Sequence, residues 1–358
     1  MARIDALLNQ LLESKGSDLH LIAGQKMRMR INGELESIGA DRLDPDDVAG
    51  MAGEILSNRA RQQFEREDGA DFAYELDQRA RFRVNLFRHI GGLGLVMRAI
   101  PAEALGLDAL NMPPVVRSLC MHKQGLVLVT GKTGSGKSTT LAAMVDAINE
   151  TKRGHILTIE DPIEFVHQRK RCLISQREVG RHAKTFSSAL RSALREDPDV
   201  ILVGELRDLE TISLAVTAAE TGILVLGTLH TSRADVTVDR IINTFPAGKQ
   251  AQVRIMLSTS LRGVISQQLA RRADGEGRLA VTEILVNTSA VGSLIRDGKT
   301  EQLETVMQSG ALVGMQTMDG ELRRLMDAGM ITGLEAYRRA ISKENFRRFA
   351  GSRADEVE

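Results

Sequence analysis

The chain has 358 residues, 42% of them hydrophobic and 26% charged, which is room for two domains of ordinary globular composition. Lys+Arg and Asp+Glu both number 47, so the net charge is zero, and there is no Trp and only two Tyr; this excludes both a basic footprint for nucleic acid and aromatic platforms for its bases. Cys120 and Cys172 form no CxxC pair, which excludes a disulfide framework and fits a reducing cytoplasm, while no apolar run reaches the roughly 18 residues of a membrane span.

The first hundred residues read as a small α+β domain. Residues 6–12 carry apolar positions at helical spacing, and 17–22 and 27–31 alternate as half-buried strands do. Asn32-Gly33 is a hairpin signal before Glu34. Asp44-Pro45 opens a helix expected to run to about Glu67. Strands follow at 71–76, 81–87 and 93–100, the last two joined over His89-Ile90-Gly91-Gly92. Residues 101–114, interrupted by Pro101, Gly106, Pro113 and Pro114, are the expected linker.

From residue 115 to 350 the pattern becomes strands alternating with helices. The strands, 126–129, 156–159, 200–203 and 223–226, are continuous apolar runs, so both sheet faces are expected to be covered. Helices at 187–195 and 209–220 lie between them, which argues for an α/β domain with a mainly parallel sheet and right-handed crossovers. From about Gln250 the chain is expected to be helical apart from a strand near 279–286, and residues 351–358 read as a disordered tail.

The chemistry concentrates after the run 126–129. Gly131-Lys132-Thr133-Gly134-Ser135-Gly136-Lys137-Ser138 fits GxxxxGK[ST], these residues and Thr139 are the expected nucleotide-binding set, and a helix-forming run follows at 141–149. A strand before and a helix after are the context this phosphate-binding motif requires. Glycines let successive N–H groups curl toward anionic oxygens, and the helix adds its positive end. Lys137 supplies charge for the outer phosphates, and the Ser138 hydroxyl is a ligand for Mg²⁺. The expected ligands are therefore ATP and Mg²⁺.

Acids gather at the strand ends, where α/β sheets bind ligands. Glu160, Asp161 and Glu164 follow one apolar strand, although an acid such as Asp161 just before a proline is also a common helix N-cap. The run 200–203 ends in Gly204-Glu205 in the manner of a Walker B strand, with the glycine read as leaving room for metal-bound water. His230, between threonines, closes a third strand. Arg79, Arg81 and Arg83 alternate and share a face, with Arg88 and Arg98 nearby; they are either a solvated basic edge or a cover for the nucleotide of another subunit.

With these motifs in place, the chain resembles the secretion ATPases of type II and type IV systems, and within them the branch that retracts type IV pili. The resemblance covers nearly the whole chain. It is carried by Ser17-Asp18-Leu19-His20, Arg81-Phe82-Arg83-Val84-Asn85, the Walker A loop, the acidic box 158–164, the Walker B segment ending at Glu205, the histidine box 227–231 and Gly314-Met315-Gln316-Thr317. It implies a PAS-like N-terminal domain, a RecA-like P-loop domain and a homohexameric ring at the cytoplasmic side of the inner membrane. The implied partners are an inner-membrane pilus platform protein and a paralogous retraction ATPase. It also implies that Glu164 activates water, that Glu205 lies near Mg²⁺, that His230 is the box histidine, and that Arg81 and Arg98, with Arg240 weaker, contact nucleotide.

Three positions depart from the family pattern. Lys132 replaces a proline of the phosphate loop, Ile223 replaces the first box histidine, and 290–297 keep only part of a signature linked to retraction. The rival readings are an assembly or export ATPase, a nucleic-acid translocase and a nucleotide-binding ring subunit without turnover. The first usually carries a four-cysteine zinc module that two cysteines cannot build.

Overall fold

The computed structural model describes residues 3–31, 34–77, 80–100 and 105–351. The Asn32-Gly33 turn, Arg79, the start of the expected linker and the last seven residues lie outside them. The chain packs as two units. The first holds the described residues up to 100 together with 164–166, and the second holds the rest.

The first unit is built on six strands: β1 (Asp18–Ile22), β2 (Lys26–Ile31), β3 (Glu34–Arg42), β4 (Gly69–Leu76), β5 (Ala80–His89) and β6 (Gly92–Ile100). They pair antiparallel in the order β3-β2-β1-β6-β5-β4. Alternation along β5 buries Phe82, Val84 and Leu86 against Ile4, Leu8 and Leu11 of the helix Arg3–Glu13 and Val48 and Met51 of the helix Pro45–Ile55. The expected helix from Asp44 to Glu67 is two helices. The first stops at Ile55 with Leu56 extended, and Ser57 then caps a second, Asn58–Glu67, by accepting from the Ala60 amide at 3.2 Å. A serine that bonds its own downstream backbone restarts a helix rather than continuing one.

The second unit carries seven strands: β7 (Gly125–Thr130), β8 (His155–Glu160), β9 (Leu173–Glu178), β10 (Val200–Val203), β11 (Leu224–Leu229), β12 (Leu261–Arg271) and β13 (Arg278–Val286). Their order is β13-β12-β7-β11-β10-β8-β9, all parallel except the antiparallel β13. Alternate residues of each central strand serve different cores. Leu126, Leu128, Ile201 and Val203 pack on one face, and Val127, Val129, Val200 and Leu202 on the other. That is why the central strands read as unbroken apolar runs.

Two strands differ from the sequence expectation. β12 falls where helix was expected, because it follows the helix Ala247–Ser260 with no turn residue and is diluted by Gly263, Ser266, Gln267 and Gln268. β9 is short and half polar and gives no periodic signal. Within the stretch read as a linker, Leu107 and Met112 are buried in the second unit's core.

The helix Ala234–Thr244 begins without a cap from Arg233. Its first amide instead donates to the buried Glu283 of β13, Ala234 N to Oε1 at 2.8 Å, while Glu283 Oε2 accepts from Met318 N at 3.4 Å at the start of the helix Met318–Asp327. Burial raises the Glu283 pKa, and the two amides pull against that rise. Glu283→Ala orphans both donors and is expected to cost about 3 kcal/mol of stability in denaturant unfolding. A loss below about 1 kcal/mol would show that water replaces the carboxylate.

Candidate functional site

β7 ends in Thr130, and the chain turns through Gly131, Gly134 and Gly136 at φ +146°, +79° and +87°, backbone angles that side chains disfavour. A Cβ at Gly131 would run into the Gln267 carbonyl and Ser135 Oγ, so only glycine fits there. The helix Lys137–Thr151 starts with no side-chain cap, leaving its first amides for another acceptor. Lys137 Nζ folds back over the loop and donates to the carbonyls of Gly131 at 2.8 Å and Lys132 at 3.1 Å. Lys132, Thr133 and Gly134 form an exposed crest, and Ser138 and Thr139 lie half-buried on the first helical turn. The crest position of Lys132 explains how a lysine replaces proline there without disturbing packing. Ser135 Oγ is buried and has no hydrogen-bond partner. A concave backbone, uncapped amides, one lysine and an orphaned hydroxyl together fit a phosphate chain.

The other strand ends stand in sheet order beside this loop. β11 lies between β7 and β10, and its last residue registers with Thr130 of β7. His230 therefore emerges next to the loop, with the Gly131 amide donating to the Leu229 carbonyl at 3.3 Å. One strand further, the Glu205 carboxylate is 3.3 Å from His230 Nε2 and 2.7 Å from Arg207 Nη2. Burial pushes the Glu205 pKa up, but the Arg207 hydrogen bond and the neighbouring charges outweigh it, and the net shift is down. Glu205 is thus an ionised, partly exposed oxygen donor, the kind a hard cation takes. Among the described residues no three His, Cys, Asp or Glu side chains converge as a cage. The donors fit a Mg²⁺ that shares its coordination with phosphate and water.

Several sequence expectations change here. Gly204 opens no space for water: its amide donates to the Ile159 carbonyl at 2.8 Å, and a Cβ there would press on the end of β8. No helix follows Pro162, so Asp161 is not an N-cap. Glu160 accepts from Thr158 Oγ1 at 2.6 Å and Gln176 Nε2 at 3.3 Å. Ile223 precedes β11 at the end opposite His230, about 20 Å away at 3.3 Å per residue. A histidine at that position would be remote from the phosphate loop.

Lys137, Ser138, Glu205 and His230 share one sheet edge of the second unit, whereas Arg81, Arg98 and Glu164 belong to the first. Arg81 is almost buried, 3.5 Å from Glu75, and is no solvated edge residue. Arg98 Nε is 2.7 Å from the buried Asp18. Burial raises the Asp18 pKa, but the Ser17 hydroxyl and Arg98 outweigh it and hold it down. A carboxylate whose folded pKa is depressed adds stability above its unfolded pKa and loses it as pH falls. Asp18→Asn is therefore expected to cost about 2 kcal/mol at neutral pH, with the difference shrinking as pH drops through the carboxylate range. Parallel thermal melts of the two forms check this.

Sequence reading missed Arg207 and Gln267, and gave Thr228 no role beyond its place in the box 227–231. Thr228 Oγ1 donates to the Gly204 carbonyl and holds the Glu205 turn. Gln267 Nε2 donates to the Ser135 carbonyl at 2.7 Å, and its Oε1 accepts from Thr140 Oγ1 at 2.7 Å. The available signal was the polar run Ser266-Gln267-Gln268 inside an apolar stretch.

Comparison with known proteins places this geometry in context. The family described as Type II/IV secretion system protein matches residues 1–326. The type IV pilus retraction ATPase PilT of Pseudomonas aeruginosa PAO1 is 50% identical over 343 residues, covering 96% of this chain and 99% of the relative. The type IV pilus ATPase PilU of the same strain is 39% identical over 343 residues, covering 96% and 90%. A crystal structure of the pilus retraction motor PilT with bound ADP superposes with a TM-score of 0.89 at 44% identity, covering 97% of this chain and all of that one. With a family match spanning nearly the whole chain and a phosphate loop built as that family's motif requires, this protein belongs to the type II/IV secretion system protein family.

Proposed function

We propose that this chain is an ATP-hydrolysing motor of the type IV pilus system that drives pilus retraction and twitching motility. The observation that carries the reading is 50% identity to a retraction ATPase along essentially the full length of both proteins. The first unit is a PAS-like domain, the second is RecA-like, and six copies form the working ring. The loop amides and Lys137 hold the phosphates of ATP, and Glu164 takes the proton of the attacking water. Ser138 and Glu205 are the residues that would hold Mg²⁺, which supplies charge neutralisation on the outer phosphates when bound. Arg81 and Arg98 are the candidate nucleotide-contacting arginines, and His230 orients the Glu205 carboxylate. The ring works against an inner-membrane platform protein, alongside a paralogous ATPase, and not on nucleic acid. Among the described residues no helix is long and apolar enough to cross a membrane; in this reading the chain sits peripherally at the inner membrane through that partner.

Two free, buried cysteines weigh against the zinc-bearing assembly ATPases. The partial signature at 290–297, which lies within the helix Ser289–Asp297, favours an accessory retraction role as the second reading. The test has two arms. Purified chain is expected to release phosphate from ATP only with Mg²⁺, and deleting the gene is expected to leave cells with excess pili that do not retract. No phosphate release in any assembly state overturns the motor.

A further inference from the structure

We propose that Gln267 is a positioning residue for nucleotide binding, a clamp that sets the direction of the phosphate-loop amides. The inference rests on the nucleotide reading above and goes beyond it. Gln267 lies in the middle of β12, only 2% exposed, where a side-chain amide is costly unless its polar atoms are paired. Both ends of the amide are used. Nε2 donates to the Ser135 carbonyl at 2.7 Å, and Oε1 accepts from Thr140 Oγ1, one turn into the following helix, at 2.7 Å. The same residue fills the space behind both flanking glycines. A Cβ at Gly136 would fall 2.8 Å from Gln267 Nε2, and one at Gly131 would meet the Gln267 carbonyl.

The consequence follows from peptide geometry. In a planar trans peptide the carbonyl of one residue and the N–H of the next point in opposite directions. Holding the Ser135 carbonyl toward β12 therefore aims the Gly136 N–H away from β12. That is the side left for an anion, since Gln267 occupies the other. Gly136 sits at φ +87°, and a free glycine there has wide backbone freedom. The clamp removes that freedom before the ligand arrives, so less ordering is left to oppose binding. β12 is itself fixed to the loop's base, because Ser266 Oγ and Thr130 Oγ1 are 2.9 Å apart.

A loop that is pre-set for phosphates in ground and transition states alike changes affinity more than chemistry. The probe is ADP, titrated calorimetrically into the full-length chain, with ATP turnover measured in parallel. Gln267→Leu removes both bonds and is expected to raise the Kd for ADP and the KM for ATP about tenfold, with KM rising more than kcat falls. Thr140→Val removes one bond without touching the loop and is expected to weaken ADP roughly threefold. The double variant is expected to be no worse than Gln267→Leu alone. A folded Gln267→Leu chain that binds ADP as the wild type does overturns the clamp. If that variant does not fold, wild-type ADP affinity in Thr140→Val overturns it. Wild-type chain that fails to bind ADP overturns the nucleotide reading as well, which keeps the two failures apart.

Discussion

Lys137→Ala is expected to cut ATP turnover by about 10²–10³ and to weaken ADP binding about a hundredfold. Two roles of one ammonium group are lost together. It ties the Gly131 and Lys132 carbonyls at 2.8 and 3.1 Å, closing the loop on itself. In the proposed reaction it is also a loop cation for the phosphate charge that accumulates in the transition state, a contribution of the size removed when an electrostatic stabiliser is deleted, about 10²–10³ in rate. Lys137→Arg is not a rescue, because a planar fork cannot reproduce a point donor spanning two carbonyls. The fold is expected to survive, since the side chain is half-buried and replaces no core contact. Calorimetry with ADP and a phosphate-release assay read both effects. Turnover within tenfold of wild type would remove Lys137 from the mechanism.

Glu164→Gln is expected to separate binding from hydrolysis. Gln matches Glu in shape but carries no base, so ADP and ATP affinities should stay within a factor of about two while turnover falls by 10²–10⁴, the usual worth of a general base. Glu164 lies in a non-helical stretch between β8 and β9, held in the first unit's packing rather than at the strand end itself. Its assignment therefore depends on the motif, and the kinetic split is the direct check. If Glu164→Gln retains full turnover, the base has to be sought among the acids at the ends of β8 and β10, with Glu205 first.

The sequence read alone was most informative where a single local rule operates. Gly131, Gly134, Gly136 and Lys137 encode a backbone trajectory and a charge within eight residues, and the central strands are apolar because both their faces are covered. Strand ends put Glu205 and His230 at one edge because parallel strands all point the same way. Local rules failed where partners are distant in sequence. Gln267 meets Ser135 across 132 residues, and Glu283 caps a helix 49 residues before it. Neither pairing leaves a periodic trace. The helical region expected from about Gln250 is broken at 261–271 by β12, because a seat beside β7 outweighs weak helical spacing. The space read into Gly204 is taken by the neighbouring strand, and Ile223 stands at the far end of β11 from His230. Composition and motif thus determined that this chain cradles phosphate. Which buried side chains hold the cradle in shape was decided only by the order in which the strands lie side by side, because hydrogen bonding acts through space and the chain's local spacing carries no record of it.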